Sequence, residues 1–369
     1  MLHPLDEYPV HQTPLPMSQA GTSDKNFYDR CYFNAHDRTG DVFVITGLGS
    51  YVNLGVIDAY ATVKLGDVLH TVRLSGALGP DRMHQQVGPY RIEVIEPLQK
   101  LRIVCDADDH GVGFDLTWEG SFPAVEEEPH VINNGYRAIL QSSRFAQMGS
   151  WTGEVRADGQ TLAVEPSTWL GSRDRSWGIR PVGDADAPGR TADDAAAGGG
   201  GFWWLYVPLR FDDFQIIVIV QEKADGYRTL NDAKRVWADG RVEQLGWPQY
   251  DIRYRSGSRH PEHATLHLTD MAGKPVTVEI DTLGFVPLQL GSGYGDPDWA
   301  HGQWKGENWA ESVVVDLTDP AVAPRIAFGN IDHVGHAWCD GAEGWGLFEH
   351  ASIGAHAPTG FADLMSVAP

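Results

Sequence analysis

Gly201-Phe-Trp-Trp-Leu-Tyr-Val-Pro-Leu-Arg-Phe-Asp-Asp213, continued by Phe214-Gln-Ile-Ile-Val-Ile-Val-Gln-Glu222, decides the fold class. Phe202–Arg210 reads as a strongly aromatic strand and Asp212-Asp213 as a turn. Phe214–Glu222 is the most apolar run in the chain, as a strand buried on both faces would be. Asp225-Gly226 then supplies a hairpin turn. No helical period separates the two runs, so an antiparallel meander is expected rather than a βαβ sheet.

The same style extends outward in both directions. Short β-rich runs bounded by turn residues recur at 41–47, 59–65, 68–74, 90–95, 101–105 and 113–118. Others follow at 265–269, 276–282, 312–317 and 325–328. Asp158-Gly159, Asp239-Gly240 and Asp340-Gly341 are further hairpin turns, and 42 Gly with 22 Pro make turns frequent. This spacing predicts an all-β sandwich or barrel. Helix is confined to short pieces such as 138–147. The predicted organisation is a loosely ordered N-terminal arm (1–25), an N-terminal β domain (26–182), a flexible Gly/Ala/Asp loop (183–201) and a C-terminal β domain (202–369). The low-complexity loop is too poor in apolar residues to order itself, and a lid over a site is one role for it.

Composition narrows the function. A net charge of −22 over 369 residues repels phosphate backbones and anionic lipid, which argues against nucleic acid and membrane partners. Three cysteines, with no C-x-x-C, form neither a disulfide framework nor a thiolate zinc site. No apolar run reaches membrane-spanning length, and residues 1–19 lack an apolar signal segment, so a cytoplasmic protein without membrane insertion is expected. There is no Gly-x-Gly-x-x-Gly, no Walker loop, no Gly-x-Ser-x-Gly and no His-Glu-x-x-His. Chemistry without a cofactor or metal, or plain binding, is left.

Charges and aromatics are densest in Trp169-Leu-Gly-Ser-Arg-Asp-Arg-Ser-Trp-Gly-Ile-Arg-Pro181. On a strand, Asp174, Ser176 and Gly178 point one way and Arg173, Arg175 and Trp177 the other, with Arg180 close by. Asp174 among guanidiniums is expected to stay ionised. Two readings stand side by side: a buried ion-pair knot that joins the two domains, or the polar floor of a cavity. Trp203 and Trp204 likewise face opposite sides, so one packs in a core and the other is free to line a cavity. In Asp332-His333-x-x-His336 the two histidines fall on opposite faces of a strand, which disfavours a metal site; Glu349 and His350 are left without a role.

Gly-x-Arg-Asp-x-Ser-Trp-Gly, the aromatic strand with Trp203-Trp204, the Asp turn and the apolar strand before Asp225-Gly226 resemble the carotenoid hydratase/AttH-like family. Gly344-Trp-Gly-Leu-Phe-Glu-His350 with Gly354 resembles the closing strand of its bacterial branch. The resemblance implies two tandem lipocalin-like antiparallel β domains. In the family's Asp-His-x-Trp pattern, the acid matches Asp174 and the Trp matches Trp177. The His falls on Arg175, which cannot readily donate a proton but can orient a carboxylate or carbonyl. For an acidic residue on the following strand, Tyr206 and Asp212 are the nearest positions.

Cofactor-independent lyase, hydratase, isomerase or cyclase chemistry on a small terpenoid, steroid or polyketide-like compound is therefore expected. Asp174, Arg175 and Tyr206 are the candidate catalytic groups. Arg173, Trp177, Arg180, Trp203, Trp204 and Asp212 are the candidate substrate-binding groups. A non-enzymatic carrier of hydrophobic ligands and a carbohydrate-active β-sandwich are the alternatives. The expected partner is a small hydrophobic molecule; a homodimer is compatible with the sequence.

Overall fold

The structure is a computed structural model that describes residues 2–11, 15–133, 137–186 and 201–369. The all-β expectation holds: two curled antiparallel half-barrel sheets account for nearly all of the regular structure, as two tandem lipocalin-like units would. The N-terminal sheet runs Val68–Ala77, Val56–Leu65, Val42–Tyr51, Phe27–His36, Leu170–Ile179, Ala138–Ala157, Val112–Gly120, Lys100–Ala107 and Tyr90–Glu96. The C-terminal sheet runs Arg228–Trp237, Phe214–Lys223, Phe202–Arg210, Ala342–Ile353, Asn330–Cys339, Pro275–Pro287, Pro261–Thr269 and Gln249–Tyr254. One strand crosses from one half of the chain to the other half's sheet. Trp309–Asp316 leaves the C-terminal half and pairs antiparallel with Val68–Ala77 at the edge of the N-terminal sheet.

Central strands are buried on both faces, which explains why they read as unbroken apolar runs. From Phe27–His36, Cys31, Phe33 and Ala35 pack inside the N-terminal unit, while Tyr32 faces the other sheet. From Phe202–Arg210, Trp203, Leu205, Val207 and Leu209 fill the C-terminal core, while Trp204 and Tyr206 enter the layer between the sheets. Three apolar layers result, and the middle one joins the two units.

Two local expectations are corrected. Residues 138–147 are not helix but the first half of the 20-residue strand Ala138–Ala157. That strand is paired with Leu170–Ile179 on one side and Val112–Gly120 on the other, so sheet partners satisfy its backbone. Residues 325–328 are not strand; Ala323–Ile326 is a single α-helical turn with Pro324 near its start, where a missing N–H costs nothing. Within the N-terminal arm, Pro4–Glu7 forms a 3-10 turn and Glu7 is buried. Residues 187–200 of the Gly/Ala/Asp loop, and with them the lid reading, lie outside the described residues.

Candidate active site

Three neighbouring strands of the N-terminal sheet lay out one wall of a cavity by register alone. Arg30 is level with Ser176, and Ser176 with Arg144. One rung on, Tyr32 is level with Asp174, and Asp174 with Ala146. Directly paired residues share a face, so these side chains form a polar patch aimed at the second sheet. The facing wall is built the same way: Tyr206 is level with Glu349 and Glu349 with Asp332, and Trp204 is level with Ala351 and Ala351 with Asn330. Between the walls lies a cavity of about 500 Å³ lined by residues of both sheets, including Arg30, Tyr32, Arg144, Asp174, Trp204 and Glu349. Leu140, Leu288, Phe328 and Ile353 contribute apolar lining. Its size and mixed lining are those of a small-molecule site.

The strand alternation read from 169–181 divides its charged residues between two environments. Asp174, Ser176 and Arg180 line the cavity. Arg173 and Arg175 do not; they point to the opposite face. Arg173 makes a two-pronged ion pair with buried Glu7, at 2.6 and 2.8 Å, and donates to Gln147 at 2.8 Å. Arg175 donates to Asp29 at 2.9 Å and to Gln85 at 2.5 Å. Trp177 stacks on His11, with ring centroids 3.6 Å apart, also outside the cavity lining. The segment therefore carries ion pairs on one face and a polar cavity wall on the other; the ion pairs stay within the N-terminal half, with Glu7 and Asp29 as partners, and do not join the two domains.

Of the second-strand candidates, Trp204 reaches the cavity and donates its indole N–H to Glu349 at 3.1 Å. Trp203 lies in the C-terminal core, its ring 4.3 Å from that of Tyr250. Tyr206 is buried behind the lining, 5.1 Å from the Arg144 guanidinium. Asp212 sits on an exposed turn outside the lining.

With its two flanking arginines turned away, Asp174 is not held ionised as expected. Its carboxyl makes no hydrogen bond among the described residues, and burial pushes its pKa up to about 7, against the pull of Arg144. Burial likewise raises Glu349, although Asn330 and Trp204 donate to it. Asp332, beside Glu349 on the neighbouring strand, is raised well above the carboxylate range and receives the Tyr32 hydroxyl at 2.5 Å. Arg144 is tied to Glu127 at 2.5 Å. The cavity thus holds carboxyls that can carry a proton near neutral pH, one of them without a fixed partner.

The C-terminal histidines stay outside this arrangement. His333 is buried and donates its Nδ1–H to the Phe348 carbonyl at 3.2 Å, and burial lowers its pKa well below the usual histidine value. His336 pairs with Glu343 at 2.7 Å on the other face. His350 bridges the Trp204 carbonyl at 2.6 Å and Tyr254 at 3.1 Å, and burial lowers its pKa to about 3. Among the described residues no three His, Cys, Asp or Glu side chains are placed to hold a metal ion. No helix among them is long and apolar enough to cross a membrane.

A family profile described as Family of unknown function (DUF8625) matches residues 2–362. The chain belongs to that family. No curated protein matches it in sequence. Solved structures similar to this member of the family include kievitone hydratase from Nectria haematococca, 13% identical over 93% of this chain and 97% of that one, with a TM-score of 0.50. An AttH-like protein from Nitrosomonas europaea is 13% identical over 93% and 98%, with a TM-score of 0.53. CghA with Sch210972 is 12% identical over 94% of each chain, with a TM-score of 0.52. At these identities the likeness is one of fold, and that fold is the one the sequence resemblance implied.

Sequence reasoning missed Arg30, Tyr32, Arg144 and Tyr294, and weighed Asp332 only as a metal ligand. For the first two, the signal was present as a period-two pattern in Tyr28, Arg30 and Tyr32. Arg144 was hidden by the helical reading of its segment.

Proposed function

We propose that the inter-sheet cavity is the active site of a lyase or isomerase that performs acid–base chemistry, hydration of an alkene foremost, on a small hydrophobic compound. The observation that carries this is the Asp174 carboxyl: it faces the cavity, has no hydrogen-bond partner among the described residues, and is raised by burial to about 7. A group with that pKa can both give and take a proton at working pH. In a hydration, Asp174 protonates one alkene carbon, water adds to the other, and the proton that water sheds returns to Asp174. Atoms and charge balance over the cycle. Trp204 and Tyr32 are aromatic residues of the lining, and aromatic rings favour a developing cation. A hydratase among the similar folds supports this choice of reaction.

Purified protein incubated with terpenoid, steroid and polyketide alkenes in ¹⁸O-water, followed by mass spectrometry, tests the reading. One ¹⁸O per product is expected, with the rate cut by about 10²-fold or more in Asp174→Asn of unchanged circular dichroism. Full turnover in that variant, or none in the wild type, sinks the proposal.

A further inference from the structure

Three buried arginines and the half-buried Arg144 each hold a carboxylate. Arg73 takes Asp296 at 2.7 Å, Arg144 takes Glu127 at 2.5 Å, Arg173 takes Glu7 at 2.6 Å and Arg175 takes Asp29 at 2.9 Å. The two arginines at the Tyr294 end of the cavity do not. Arg30 is only 5% exposed; its Nη2 donates to the Tyr294 hydroxyl at 2.7 Å, and its Nη1 is buried without a partner. Arg180, half-buried, makes no side-chain hydrogen bond or ion pair among the described residues. Its guanidinium stands 5.5 Å from the ring centre of Tyr28 and 5.8 Å from that of Tyr294. Arg30 stands over the same Tyr294 ring at 4.9 Å.

Acid is not scarce in this chain, with 50 Asp and Glu against 28 Lys and Arg. Yet among the described residues no carboxylate lies at ion-pair distance from either of these two cations, and burying a guanidinium without such a partner is costly. Asp58, Asp174 and Glu349 act on these cations only through space: none is within ion-pair distance of Arg30 or Arg180, Asp58 accepts from the Tyr51 hydroxyl and the Gly302 N–H instead, and burial raises all three toward their neutral forms. A planar guanidinium matches a carboxylate in two-pronged geometry.

We infer that this end of the cavity is a carboxylate-binding subsite and that the ligand is a small hydrophobic carboxylic acid. Arg30 and Arg180 grip its carboxylate beside the Tyr294 hydroxyl, and its apolar body lies along Trp204, Leu140 and Leu288. The word substrate, as distinct from ligand, rests on the function proposed above. Arg30 lies one rung from Tyr32 and Asp174, so a carboxylate held there brings the adjoining part of the molecule to the acid.

The test is calorimetric titration of the full chain with 1-naphthoate and with its neutral counterpart 1-naphthamide. The wild type is expected to prefer the carboxylate by about tenfold or more, the worth of a charge-assisted hydrogen bond. Arg180→Met is expected to remove most of that preference with amide affinity unchanged, and Arg30→Met, if folded, to do the same. Arg180 is half-buried, so its variant decides the matter even if Arg30→Met fails to fold. Equal affinity for the two probes, no saturable binding of naphthoate, or a preference unchanged in Arg180→Met overturns the inference. Asp174→Asn separates the two proposals: it is expected to retain the preference while losing turnover. A retained preference in a protein that turns over no alkene leaves the subsite standing and removes the catalysis.

Discussion

At Asp174, removal from water favours the neutral acid and Arg144 favours the anion; burial wins, and the pKa rises to about 7. A carboxyl raised in the folded state binds a proton there that the unfolded chain releases from about pH 4 upward. Its contribution to stability is therefore complete in acid and is lost as the pH rises toward 7. Asp174→Asn, which cannot ionise, is expected to melt higher than the wild type at pH 8, by on the order of 2 kcal/mol, and to lose that advantage near pH 4. Thermal unfolding at the two values checks this, and a variant that melts lower at pH 8 contradicts it. Activity that needs the protonated acid should fall above about pH 7. The sequence made the direction of Asp174 legible, since strand alternation separates it from Arg173 and Arg175. It did not make the charge state legible, because the partners of those arginines, Glu7 and Asp29, lie 166 and 146 residues away.

Strands with two buried faces carry two jobs, and Phe202–Arg210 divides them between adjacent tryptophans. Trp203→Ala empties a core position that is fully buried, and a loss of about 3–5 kcal/mol in urea unfolding is expected, with 1-naphthoate binding preserved in the fraction that folds. Trp204→Ala is expected to weaken that binding instead, because its ring is cavity wall. Glu7→Ala strands Arg173 without its carboxylate, and loss of one member of a buried pair costs about 3–5 kcal/mol. Early proteolytic cleavage within the arm, ahead of global unfolding, would register it. The aromatic and apolar strands at 202–222 were legible because their composition alone demands burial. Ala138–Ala157 was not: Gln141, Ser142, Ser143 and Arg144 interrupt any apolar alternation, and their place in the sheet is set by strands elsewhere in the sequence. Phe27–His36 hid for a related reason, since its Asp29 and Arg30 are buried only by virtue of what the fold brings to them.

Across the whole molecule, the middle apolar layer and the returning strand Trp309–Asp316 tie the two sheets together. Calorimetry is expected to record one unfolding transition rather than two, and a fragment ending at residue 182 to aggregate. Without Trp309–Asp316 the edge of Val68–Ala77 is open to pairing with other chains. Two separate transitions, or a soluble folded fragment, would contradict this. Cutting such a chain between its halves takes from Val68–Ala77 the strand that covers its edge. Recombination that exchanged one half for another would have to supply a matching eight-residue strand from the far side of the break. Descendants of such a gene therefore inherit both halves together, and their room for divergence lies in the side chains that face the space between them.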